Sequence, residues 1–265
     1  MKELADKVAK LDEELKKRIV RELKRLGAEL NELLTDAATE ESVTTINQDG
    51  STDTANRTTV KTTSLRRIMR ELDDIERQYN ETLYDGAVDG MEAAIAVVIA
   101  TLLGEIDGMS KQSKVNADKT LGKTVKIGDK TLKQRAAMLA AETTADVRSV
   151  IRQGVLGGED VQSIVKKVRK TFSDTDWKVE RLVESEVYGA YRYQFAQTTS
   201  ENGFDWIRIH ETFPRHPRRR YHRCYTLANA DPYGRGKGVY KSTDIEIFYP
   251  HPQCTSWLEV VEALD

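Results

Sequence analysis

A chain of 265 residues that is 39% hydrophobic and 32% charged has enough apolar material for one large core or two modest ones, and its composition is that of a soluble globular protein. A formal net charge of -2 excludes a surface covered in nucleic-acid-binding basicity and leaves room only for a local basic patch. Two cysteines make no disulfide framework, which points to a reducing compartment.

The opening MKELADKVAKLDEELKK carries charges where a signal peptide needs an apolar core, so no export is expected. From Leu4 the apolar positions Val8, Leu11, Leu15, Ile19, Leu23, Leu26, Leu30 and Leu33 follow in steps of three and four. That spacing predicts an amphipathic helix over residues 1–35, with one apolar stripe and charges on the other faces. Such a stripe either docks on a partner or a coiled-coil mate, or packs back on its own domain; periodicity alone does not choose. Residues 36–63 are polar and rich in Thr, Ser, Asn and Asp, and read as a linker or a long surface loop.

A helical domain is expected over 64–172. Ser64 is a plausible N-cap for a helix with Leu65, Ile68, Met69, Leu72, Ile75 and Leu83 on one face; Gly86 and Gly90 are expected to interrupt it before a central buried helix, MEAAIAVVIATLLG. The run Ala93 to Leu103 is too short to cross a bilayer, so no membrane partner is expected. Val125 and Ile127 alternate with lysines ahead of Gly128-Asp129, suggesting a small hairpin or an ordered excursion. Further helices are expected from Leu132, stopped by Gly154 and the Gly157-Gly158 pair, from Asp160, and after the capping candidates Ser173 and Asp174.

After Gly203 the period changes from helical to alternating. Trp206–His210, Asp244–Tyr249 and Trp257–Val261 read as three short strands of one small antiparallel sheet within a C-terminal region, 173–265. The predicted fold class is therefore α+β: a mainly helical body with a long N-terminal helix and a small C-terminal sheet subdomain.

All four histidines and both cysteines lie at or beyond His210. His222 and Cys224, then His251 and Cys254, form two close pairs separated by an intervening element, which is how proteins usually present nitrogen and sulfur ligands to zinc. The first pair is one residue tighter than the common knuckle, so His216 or His210 is an alternative to His222; the other reading is two free cysteines with loop-capping histidines. Arg215, Arg218, Arg219, Arg220 and Arg223, interleaved with Tyr221 and Tyr225, could neutralise phosphates and stack on bases, or contact an acidic partner, or be a solvated loop. This supports an alternative function, a zinc-stabilised nucleic-acid-binding module on a helical oligomerisation domain. No Walker loop, GxSxG, HExxH or dinucleotide-binding fingerprint is present, and Glu184 and Glu186 are two apart on a helix and point in different directions, so catalysis is not expected.

Over residues 140–260 the chain resembles the minor head proteins of tailed phages typified by phage Mu protein F, the head morphogenesis family. The resemblance is carried by Ile151–Gly158 and the helix from Asp160, by Val183-Glu184-Ser185-Glu186, which keeps the glutamate of an Arg-Thr-Glu-like step, by Trp206, by Cys224, and by the closing Pro250-His251-Pro252-Gln253-Cys254. Tyr221 stands where the family has the first cysteine of its four-ligand site, a place that His222 or His216 would have to fill. What the resemblance implies is a non-enzymatic component of the virion head, passing through the host cytoplasm during assembly. It would sit at the portal or head interior, with portal, major capsid or scaffolding proteins and DNA as partners, and act in head assembly and DNA packaging or delivery.

Overall fold

The computed structural model describes residues 1–46, 51–106, 130–212 and 222–261. The fold is α+β. In chain order it contains α1 (Lys2–Asp36), β1 (Ala38–Ile46), β2 (Thr52–Val60), α2 (Leu65–Glu105), α3 (Leu132–Leu156), α4 (Val161–Ser173), α5 (Asp176–Glu201), β3 (Trp206–His210), α6 (Arg223–Asn229), β4 (Val239–Lys241) and β5 (Trp257–Val260). The expected hairpin around Val125 and Ile127 lies outside the described residues.

Two compact units are present, each assembled from separated segments. One contains residues 1–18, 84–135 and 180–265; the other contains 19–83 and 136–179.

In the second unit the apolar stripe of α1 is buried at Ile19, Leu23, Leu26, Leu30 and Leu34. The stripe is therefore used within the chain. Phe172 of α4 packs on Tyr79 of α2 with the rings tilted by 35° and their centroids 6.2 Å apart. Asp160 caps α4 by accepting from the Gln162 N–H at 2.9 Å, as its position before an apolar run predicts. At the end of α3 the chain turns through Gly158 at a φ of 63°, and the Glu159 N–H closes on the Gly154 carbonyl at 2.9 Å. Gly154 itself remains helical, because a Cβ there would lie 2.6 Å from Ile164 of α4: the glycine permits a close helix approach and does not stop the helix.

Within residues 36–63, expected as a linker or a long surface loop, β1 and β2 pair antiparallel, in register from Ala38 opposite Val60 to Ile46 opposite Thr52. Polar cross-strand pairs stand where a buried sheet would carry apolar ones: Ser42 donates to Asn56 at 2.8 Å, and the Thr44 and Thr54 hydroxyls meet at 3.4 Å. The hairpin is tied to α4 through a bridge between Thr59 and Asp160.

In the first unit Leu4, Val8 and Leu15 of α1 are buried, and so are Asp12 and Lys16, which pair at 2.9 Å one helical turn apart. Helix α2 runs unbroken through Gly86 and Gly90; packing outweighs the cost of roughly 1 kcal/mol that glycine carries in a helix interior. Ala87, Met91 and Ile95 of α2 form a cluster with Leu132 and Ala190. Contrary to the short apolar run read from sequence, α2 has a window long and apolar enough to cross a bilayer, with half of it buried in the protein.

The C-terminal sheet has the order β4-β3-β5, antiparallel throughout. Ile207, Ile209, Val239, Tyr240 and Leu258 are buried. The expected strand at Asp244–Tyr249 is instead a 3-10 turn, Ile245–Ile247, and the third strand is Val239–Lys241. The cause is Asp244, whose carboxylate accepts from the Lys241 N–H at 3.0 Å and from the Tyr233 hydroxyl at 3.1 Å, turning the chain away from the sheet. Ile245 is left 79% exposed, so the apolar alternation there does not mark a sheet face.

Candidate metal centre

Helix α6 carries Cys224 in its first turn, with His222 as its N-cap residue. The helix is seated on the sheet by the Tyr240 hydroxyl, which donates to the Leu227 carbonyl at 3.0 Å. At its far end Gly238 donates to the Ala230 carbonyl at 2.7 Å and accepts from the Ile209 N–H at 2.9 Å. Gly238 has a φ of 75°, and a Cβ there would stand 2.8 Å from the Ile209 carbonyl oxygen, so only glycine serves at this junction. The segment 250–256 comes in from the other side, and β5 continues from it.

These two segments meet. His251 Nε2 lies 3.0 Å from Cys224 Sγ, and the His222 and His251 rings are 4.7 Å apart. One ligand atom from each of His222, Cys224 and His251 lies within 4.8 Å of the others, so this cluster could hold a metal ion. A tetrahedral ion with bonds of 2.0–2.3 Å separates its ligand atoms by roughly 3.3–3.8 Å, which the observed spacings bracket. His251 Nδ1 lies 2.8 Å from the Pro252 carbonyl, which can only accept. The neutral ring therefore carries its proton on Nδ1 and turns the Nε2 lone pair toward Cys224, the usual orientation of a metal-binding histidine.

Cys254 is buried, with Sγ 3.0 Å from the Ser256 hydroxyl. Burial alone would raise its pKa; hydrogen bonding to Cys224, the nearby Arg192 guanidinium and His251 outweigh this and hold the thiol well below its ordinary range. For His251, burial opposes the charged form, but hydrogen bonding and charge attraction from Cys254 raise its pKa. Both cysteines are free thiols.

Of the alternative fourth ligands, His210 is engaged elsewhere: it stacks on Trp257 at 4.0 Å and its Nε2 lies 2.8 Å from Glu259. His216 lies outside the described residues. So do Arg215, Arg218, Arg219, Arg220 and Tyr221 of the basic segment. Arg223, the fifth arginine, is on α6 and pairs with Glu246 at 2.8 Å.

Three residues bonded into this region were given no role there by the sequence reading, although Ser185 lies within the Val183–Glu186 motif. Arg192 is fully buried and donates to the carbonyls of Phe248, Cys254 and Ser256. Ser185 accepts from the Gln253 N–H at 3.0 Å. Arg135 of α3 pairs with Glu186, which is itself completely buried. The available signal was the position of Arg192 on the apolar face of α5, among Tyr188, Tyr191 and Phe195.

Compared with protein-family models, with curated proteins and with solved structures, the chain matches none of them.

Proposed function

We propose that this protein is a minor head protein of a tailed phage, a structural component without catalysis. It resembles the family of phage Mu protein F, and a zinc ion on His222, Cys224, His251 and Cys254 fastens its C-terminal module. The observation that supports the reading is the meeting of the closing His251–Cys254 motif with Cys224: residues 27 positions apart come within 3.0 Å, in a region that resembles that family. The donor set is also compatible with the ion: His222, Cys224 and His251 form the cluster, and Cys254 would be the fourth ligand. Two thiols and two imidazoles are the soft and borderline ligands zinc takes in closed structural sites, where it acts as a cross-link. A site of this kind would hold α6 and the segment before β5 together.

In this reading the protein associates with the portal or the head interior in few copies and serves head assembly and DNA packaging or delivery. Its partners are portal, major capsid or scaffolding proteins, and it reaches the virion from the host cytoplasm. Two measurements test it. Co-expressed with portal and capsid proteins of its phage, the chain is expected in purified head particles by mass spectrometry; recovery only as soluble monomer, with none in particles, would sink the assignment. Elemental analysis of the purified chain is expected to give one zinc per molecule, lost in Cys224→Ser and Cys254→Ser; a metal-free wild type would remove the zinc.

A further inference from the structure

We infer that Ser185 and Arg192, two turns apart on α5, are positioning residues that hold residues 248–256 in their ligating shape before any ion arrives. For the identity of the ion this rests on the zinc reading above; for the shape of the segment it does not.

Arg192 is among the largest side chains with no exposed surface, and no carboxylate among the described residues forms an ion pair with it. A buried cation without a counter-charge is unfavourable unless its donors are satisfied. Here two of the three nitrogens are satisfied by the segment: Nε donates to Phe248 O at 2.8 Å, and Nη1 donates to Cys254 O at 2.8 Å and Ser256 O at 3.1 Å, while Nη2 is buried without a hydrogen-bond partner among the described residues. Those carbonyls lie on either side of Pro250-His251-Pro252-Gln253. The guanidinium is planar with its donors at fixed angles, so one side chain sets the separation of the two ends of the segment.

Between those ends Gln253 takes a φ of 55°, the left-handed region that a residue with a side chain adopts only when its surroundings impose it. The imposing contact comes from Ser185. Its Oγ accepts the Gln253 N–H at 3.0 Å and its hydroxyl donates to Arg181 O at 2.6 Å, so the group is locked in the acceptor orientation. The left-handed turn falls between His251 and Cys254 and lets both reach Cys224. Every bond in this clamp is made by protein groups, and none passes through a ligand atom of the metal centre.

The test uses the full-length chain, stripped of metal with a chelator and then reloaded with zinc. In the stripped wild type the Gln253 amide is expected to be protected from hydrogen exchange. Ser185→Ala and Arg192→Met are expected to lose that protection and to bind zinc about 10–100-fold more weakly in competition with a chromophoric chelator. Arg192→Lys should recover part of the affinity, because an ammonium can reach one or two of the three carbonyls. Phe195→Leu, a buried change on the same helix with no bond to the segment, controls for general loosening and should leave zinc affinity within about twofold. Wild-type protection that appears only on adding zinc would mean the ion shapes the segment, and the inference would be wrong. So would unchanged zinc affinity and unchanged protection in Ser185→Ala. Should Arg192→Met fail to fold, Ser185→Ala, which removes one hydroxyl, decides. A wild type that takes up no zinc defeats the zinc reading, while the Gln253 exchange comparison still judges the clamp.

Discussion

Glu186 has no exposed surface, and burial, only partly offset by the Arg135 guanidinium, raises its pKa from 4.5 to about 7. The folded state therefore holds this proton more tightly than the unfolded chain. The stabilisation from protonated Glu186 is complete below about pH 4.5 and disappears as the pH rises through about 7, with a total on the order of 3 kcal/mol. Glu186→Gln is neutral at every pH. Denaturant unfolding of both proteins at pH 5, 6, 7 and 8 should show the variant gaining on the wild type as pH rises, and a constant difference would refute the raised pKa. The same scale shows what sequence could reveal. Histidine and cysteine are scarce here and confined to one region, so His222, Cys224, His251 and Cys254 announce themselves by type and spacing. Ser185, Arg135 and Arg192 do not, because serine and arginine on a helix usually face solvent, and only tertiary packing buries Ser185 and Arg192 and partly buries Arg135.

At the scale of elements, periodicity located the long helices because their apolar stripes are regular, and it placed β3 and β5 for the same reason. It failed for β1 and β2, whose described side chains are largely polar on both faces, so alternation carries no contrast. It failed again at β4, three residues long and preceded by a glycine-rich run, and at Ile245–Ile247, where a side-chain hydrogen bond from Asp244 overrides an apparent β pattern. Asp160 is the element-scale residue with most to lose. One carboxylate oxygen caps α4 through the Gln162 N–H at 2.9 Å, and the other accepts from the Thr58 N–H of β2 at 3.4 Å. Asp160→Ala is expected to cost about 1 kcal/mol, the usual value of an N-cap. It should also speed exchange of the Thr58 amide more than that of amides in the middle of α4. Uniform acceleration would indicate a cap alone, with no anchoring of the hairpin.

At the scale of the molecule, residues far apart in sequence complete one core. The unit that contains the candidate metal centre also contains residues 1–18, and Leu4, Val8 and Leu15 are buried in it. Ala5 and Ala9 of α1 line the same cleft as Tyr188 of α5 and Trp257 of β5. Periodicity over residues 1–35 left this open, since a stripe that binds a partner and one that completes its own core have the same period. The difference can be measured on the full chain and on a version lacking residues 1–18. Each of the three buried side chains contributes about 2 kcal/mol. Their loss, at about 2–4 °C per kcal/mol for a chain of this size, should lower the Tm by roughly 10 °C or more. The loss of protection should reach Ile207, Ile209 and Leu258, some 200 positions downstream, and zinc affinity should fall with it. A truncated chain whose β3 and β5 amides remain as protected as in the intact protein would show instead that the first eighteen residues are dispensable to that core and available to a partner.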